Sequence, residues 1–215
     1  NKMGLEFYDR LVDNLLEKDI IPFITLFHWD LPQKLEENGG WTVRDVTDAF
    51  VQYVDMVSRH LGDRVKHWIT HNEPWCVSYL GYINGQFPPG LKNSWSKSFA
   101  TVHHLLLSHG MAIPVIRSNS KDSHTGITLN LNHSVPASSS EHDKEACREY
   151  DGRFNRLFLD PLYRKQYPED IIDGFLNEGL LTGEDLDVVR EGDLDIISTN
   201  TDFLGINYYS RGIIR

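Results

Sequence analysis

Val65-Lys66-His67-Trp68-Ile69-Thr70-His71-Asn72-Glu73-Pro74 decides how this chain is read. The run is β-branched and aromatic, which suits a strand. Pro74 closes it, because proline fixes φ and cannot donate to a sheet ladder. A strand that stops there carries Asn72 and Glu73 at its C-terminal end. Buried glutamate is rare without a partner or a task, so Glu73 is the first candidate for chemistry.

Upstream, Val46, Ala49, Phe50, Tyr53, Val54, Val57 and Leu61 recur at helical spacing. Thr42 and Asp45 ahead of them resemble a capping box, and Gly62 is the expected stop. Residues 20–29 form an unbroken apolar and aromatic run, as expected of a strand covered on both faces. Before it, Phe7, Leu11 and Leu15 with Tyr8, Val12 and Leu16 predict a first helix. Downstream come a Gly- and Pro-rich loop over 85–90 and a long helix through Phe99, Val102, Leu106, Ile113 and Ile116, bent at Pro114. A third strand is predicted over 126–131, helices over 154–163 and 171–178, and a fourth strand over 202–209.

Helix and buried strand thus alternate, which predicts a parallel α/β architecture. A doubly wound open sheet shows the same alternation, but no glycine-rich phosphate loop follows any of the four strands. Long excursions after the first three strands, with polar and aromatic residues at strand ends, favour a (β/α)₈ TIM barrel. Residues 1–215 then form a single domain with four of the eight strands that such a barrel needs to close.

Lys and Arg number 21 against 31 Asp and Glu, a formal charge of −10. An acidic surface argues against nucleic acid or an anionic membrane as partner. By the reading of the sequence, no apolar run approaches the roughly 20 residues of a membrane span. Cys76 and Cys147 lie far apart, outside any zinc-holding spacing, so neither a metal nor another cofactor is expected, and a reducing, cytoplasmic compartment is. The chain opens at Asn1-Lys2-Met3-Gly4 without an initiator methionine, so the lack of a leader weighs little.

Three strand ends bring polar groups together if the strands are neighbours: His28-Trp29, Asn72-Glu73 and Asn207 with Tyr208-Tyr209. Each has an ordinary reading. His28 could be a satisfied histidine, Trp29 and Trp75 rim packing, Asn72 a loop-bonding amide, and the tyrosines plain β-formers. Jointly those readings fare poorly. Amide, imidazole, phenol and indole at one barrel mouth suit a sugar, whose hydroxyls want directional partners and whose apolar face wants a ring. A carboxyl held among aromatic rings has its charged form disfavoured, the direction a general acid needs. His103, His104 and His109 lack the spacing of a metal-binding face and read as structural or surface groups. Glu184, Asp185 and Asp187 read as a solvated helix face, and Asp160-Pro161 as a turn or helix junction.

Phe27-His28-Trp29-Asp30-Leu31-Pro32, Gly39-Gly40-Trp41, Gly62-Asp63-Arg64-Val65-Lys66 and Asn72-Glu73-Pro74 resemble glycoside hydrolase family 1, the β-glucosidase family. So do His104-Leu105-Leu106-Leu107-Ser108-His109-Gly110, Phe158-Leu159-Asp160-Pro161-Leu162 and Phe203-Leu204-Gly205-Ile206-Asn207-Tyr208-Tyr209, in the same order across essentially the whole chain. The resemblance implies a retaining β-glycosidase barrel in which Glu73 is the general acid/base. It further implies that Asn72 holds the 2-hydroxyl and His28 the 3-hydroxyl of a β-glucoside or short β-linked oligosaccharide. Trp29 would support that pocket, Trp75 would stack on the leaving group, Asn207 would orient the region and Tyr209 would contact the nucleophile.

The family's first-strand glutamine, its nucleophilic Thr-Glu-Asn-Gly motif and its Glu-Trp clamp have no counterpart in these 215 residues. By the resemblance the chain covers barrel strands three to six, and the remaining segments would come as a second chain or as further residues. Retaining chemistry needs two carboxylates about 5 Å apart, so these residues alone are expected to be inactive and poorly soluble. Two other readings are a different retaining barrel such as a cellulase, and a non-catalytic carbohydrate- or ligand-binding barrel fragment.

Overall fold

The computed structural model describes all 215 residues. Strands β1 (Phe23–Phe27), β2 (His67–Asn72), β3 (His124–Asn130) and β5 (Phe203–Asn207) form one parallel sheet in the order β1-β2-β3-β5. Each strand lies beside the next in sequence, with no reversal of direction along the sheet. A doubly wound sheet must reverse at a switch point, so this order is that of a barrel wall. β4 (Ser134–Pro136) and β6 (Gly212–Ile214) pair in parallel as a separate two-stranded sheet beyond the ends of β3 and β5. The sequence patterns did not signal it.

The helices are α1 (Lys2–Leu16), α2 (Gln33–Glu37), α3 (Asp45–Leu61), α4 (Trp95–Asn119), α5 (Glu141–Asp151), α6 (Leu157–Arg164), α7 (Glu169–Asn177) and α8 (Asp193–Ile197). α3 and α4 pack behind β1 and β2, joining Phe50, Val54, Leu61 and Leu105 to Leu26, Phe27 and Trp68 in one apolar cluster. A second cluster joins Phe99 and Leu106 of α4 to Ile127 and Leu129 of β3 and to α6 and α7. α4 is therefore the shared spine. Against the sequence expectation, it is long and apolar enough for a membrane span, yet most of its apolar stretch is buried inside this fold. Gly110 permits its closest approach, since a Cβ there would collide with the Ile196 carbonyl of α8.

Three of the four predicted strands are shorter than their runs, whereas β3 starts two residues earlier than expected, at His124. Residues 20–22 fall outside β1, because α1 ends in a turn that puts Asp19 at φ 56° and leaves Ile20 and Ile21 exposed. Val65 still donates to Leu61 in the turn after α3, so β2 begins only at His67. The capping box does not form. Thr42 instead donates to the Gly39 carbonyl at 2.6 Å within a 3-10 turn, and α3 begins at Asp45 with no side-chain cap. The predicted solvated face around Asp185 is a 3-10 turn in which its carboxylate accepts from the Thr182 amide at 2.7 Å and from Ser96.

A buried ion-pair network ties three helices together. Asp193 accepts from both terminal nitrogens of Arg44 at 2.8 and 2.5 Å and lies 2.9 Å from His103 Nε2, whose Nδ1 meets the Tyr167 hydroxyl at 3.0 Å. These bonds, with the Arg190 amide, hold the Asp193 carboxyl well below the usual range despite burial, which pushes it up. His103, His104 and His109 are all buried and thus structural groups of α4.

Candidate active site at the C-terminal sheet rim

The carboxyl ends of β1, β2 and β5 meet at one rim. There β2 carries a register irregularity between Ile69 and Asn72, and the backbone turns left-handed just past both β2 and β1. Glu73 adopts φ 48° and Trp29, just past β1, adopts φ 81°. Left-handed backbone at non-glycine residues is costly and persists where the surroundings over-determine it. Here the constraints are visible. The Glu73 amide continues the ladder to the Thr128 carbonyl at 2.8 Å, and its own carbonyl accepts from Cys76 N at 2.9 Å to start a π-helical segment, Cys76–Asn84. Trp29 is held by its indole N–H, which donates to the Asn72 carbonyl at 2.8 Å, and by Phe87, whose ring lies 5.0 Å away.

Glu73 is only 4% exposed, and its carboxyl is fully engaged. Oε1 accepts from Asn207 Nδ2 at 2.7 Å and from the Tyr209 hydroxyl at 3.0 Å. Oε2 accepts from the thiol of Cys76 at 3.2 Å. Asn72 lies alongside. Its Oδ1 accepts from Asn207 Nδ2 at 3.2 Å, and its Nδ2 stands 3.3 Å from Nε2 of the exposed His28. Bonding to the Glu73 carboxylate pushes the Tyr209 phenol up, and burial first, then Glu73, pushes the Cys76 thiol up.

Six of the seven residues singled out from sequence are thus linked: His28, Trp29, Asn72, Glu73, Asn207 and Tyr209. Trp75 is placed differently. Its ring stacks on Tyr79 at 4.8 Å and leans on Phe154 at 4.4 Å, over a mainly apolar cavity of about 340 Å³ that also meets Trp95, Phe99 and Phe175. Sequence reasoning passed over Cys76 and Asn130. The first lies three residues after Glu73, one helical turn on, and the second ends β3 as Asn72 ends β2, so the strand-end criterion applied to Asn130 equally.

A sequentially wound parallel sheet with a buried carboxylate at its C-terminal rim is the layout of a barrel enzyme's active face. The sequence profile described as Glycosyl hydrolase family 1 matches residues 1–215, and the chain belongs to that family. It is 43% identical over its whole length to the 1,4-beta-D-glucan glucohydrolase of Thermotoga neapolitana, of which it covers 49%. Among solved structures it resembles the psychrophilic beta-glucosidase BglU from Micrococcus antarcticus, at 48% identity and a TM-score of 0.90 over 97% of this chain and 43% of that one. It is similar too to the beta-glucosidase from Thermotoga maritima in complex with glucoimidazole, at 41% identity and a TM-score of 0.89 over 99% of this chain and 47% of that one. The chain spans about half the length of the curated relatives it matches, and its four strands are about half of their (β/α)₈ barrel.

Proposed function

We propose that residues 1–215 form the acid/base half of a retaining β-glycosidase acting on β-glucosides or short β-linked oligosaccharides. The observation that carries this reading is the buried Glu73 carboxyl, held at the rim by Asn207 beside the amide of Asn72. Glu73 gives its proton to the glycosidic oxygen as a nucleophilic carboxylate about 5 Å away attacks the anomeric carbon. It then takes a proton from the water that hydrolyses the glycosyl-enzyme. The nucleophile comes from the remaining barrel segments, which also cover the open edges of β1 and β5.

In this reading Asn72 and His28 bond sugar hydroxyls, Trp29 backs the pocket, and Asn207 orients the carboxyl and the amide together. Tyr209 turns from Glu73 toward the nucleophile once the barrel is closed. Trp75 meets the leaving group through the edge of its ring that is free of Tyr79 and Phe154. Cys76 and Cys147, both unpaired, suit a reducing compartment such as the cytoplasm.

Glu73→Gln in the full chain tests the assignment. An acid/base predicts a loss of about 10²- to 10⁴-fold on substrates with poor leaving groups, and a much smaller loss in glycosylation of activated aryl glycosides. Equal losses on both would mean that Glu73 serves binding or folding instead.

A further inference from the structure

The two oxygens of Glu73 are treated differently. Oε1 receives an amide N–H and a phenol, both good donors, whereas Oε2 receives only the thiol of Cys76. Cys76 is 6% exposed and begins the π-helical segment, so its side chain is fixed one turn beyond the carboxyl. On its other side the sulfur lies 3.8 Å from Asn130 Nδ2 at the end of β3. An amide N–H can only donate, so the sulfur accepts there and its own proton is directed at Glu73.

We propose that Cys76 is a positioning residue for the acid/base, its S–H setting the plane of the Glu73 carboxyl through Oε2 without competing for the proton that Oε2 delivers. The inference rests on the reading of Glu73 given above. Its physical basis is donor strength. With Oε1 occupied by Asn207, Oε2 is the oxygen free to carry the transferable proton. A hydroxyl in place of the thiol would donate more strongly and favour the charged carboxylate. An apolar side chain would leave Oε2 without a protein donor and free the carboxyl to rotate. The thiol is the intermediate case, and burial keeps it protonated and unreactive. The other titratable groups facing Glu73 are Tyr209 beyond β5 and, through Asn72, His28 beyond β1; no lysine or arginine bonds to it.

Opposite signs are expected from Cys76→Ser and Cys76→Val in the full chain. The glycosylation step needs Glu73 protonated, so a stronger donor to the carboxylate moves the alkaline limb of kcat/KM to lower pH. Removing the donor moves it to higher pH, each shift being about half a pH unit. Cys76→Val should also lose about three- to tenfold in kcat on poor leaving groups and little on activated aryl glycosides. Limbs that coincide in all three proteins, or that move the same way in both variants, would overturn the proposal. Should either variant fail to fold, the S–H infrared band in a full-chain background with every cysteine but Cys76 changed to Ser decides. The band should shift when Glu73→Gln is added, and an unmoved band overturns the thiol contact. If Glu73→Gln shows the acid/base pattern while the Cys76 limbs coincide, this proposal alone fails; if Glu73→Gln loses equally on all substrates, the parent reading fails.

Discussion

The middle and the edges of the sheet are built from similar residues and meet different fates. On β2 and β3, Trp68, Thr70, Ile127 and Leu129 are all buried, between neighbouring strands and beneath α3 and α4. On the outer strands Phe23 of β1 and Ile206 of β5 are each 56% exposed. Composition does not separate these positions. What separates them is that a middle strand has both neighbours, whereas β1 and β5 each have an unpaired flank. The rim follows the same division. Glu73, just past a middle strand, is 4% exposed and bonded at both oxygens, while Tyr209, beyond the edge strand, is 79% exposed and anchored by one hydroxyl.

The sharpest test of that contrast is a pair of truncations. Trp68→Ala should cost about 3–5 kcal/mol, because a wholly buried indole leaves a cavity that the packed α3–α4 wall cannot close. Phe23→Ala in the 215-residue chain should cost under about 1 kcal/mol, since its ring already meets solvent. Urea unfolding read by tryptophan fluorescence measures the Phe23 change, and circular dichroism both; equal costs would erase the distinction. In the full chain the cost at Phe23 should rise.

Behind the middle strands, removing Asp193 attacks the clamp rather than the apolar core. Asp193→Ala strands Arg44 and breaks the ties of α8 to α3 and α4, for an expected loss of about 3 kcal/mol in urea unfolding. A loss below about 1 kcal/mol would mean that apolar packing alone holds those helices.

Acid should act on the buried region through its histidines. Burial holds His71 well below 6.5 and lowers His104 to about 4 and His109 to about 3. In the unfolded chain each imidazole takes up its proton near pH 6.5. Stability from these groups is therefore complete above that pH and falls as pH drops below it toward the folded values, by up to about 1.4 kcal/mol per pH unit for each histidine. Unfolding midpoints at pH 7.5, 6 and 5 test this, and His109→Gln should remove about one proton from the slope. A flat profile over that range would contradict it.

The smallest effect belongs to the surface. Lys144→Met removes the exposed pair with Glu141 on α5 and should change stability by at most about 0.5 kcal/mol. A larger change would show that α5 is held by charge rather than by its Ser140 cap, which accepts from Asp143 N at 3.1 Å.

Much of the site was legible because strand ends are readable. Pro74 marks where β2 must stop, and the apolar runs around residues 23–27 and 203–207 place His28 and Asn207 at equivalent ends. The π-helical segment after Pro74 was not legible, since an extra residue per turn leaves no local periodicity to read. Nor was the uncapped start of α3. Thr42 and Asp45 have the right spacing, but the 3-10 turn at Gly40–Thr42 takes up Thr42 before α3 begins.

By itself the amino-acid sequence determined the alternation of helix and buried strand, the family, and the placing of Glu73 at the end of the second strand, because these depend on local periodicity and on a few residue types in order. Only the tertiary structure decided that the strands wind in one direction, that Asp193 clamps α3 to α4, and that the two oxygens of Glu73 have unequal partners. Apart from the Cys76–Glu73 bond, those outcomes join residues 44 to 149 positions apart, and such contacts are set by how layers pack together, which no short stretch of chain encodes.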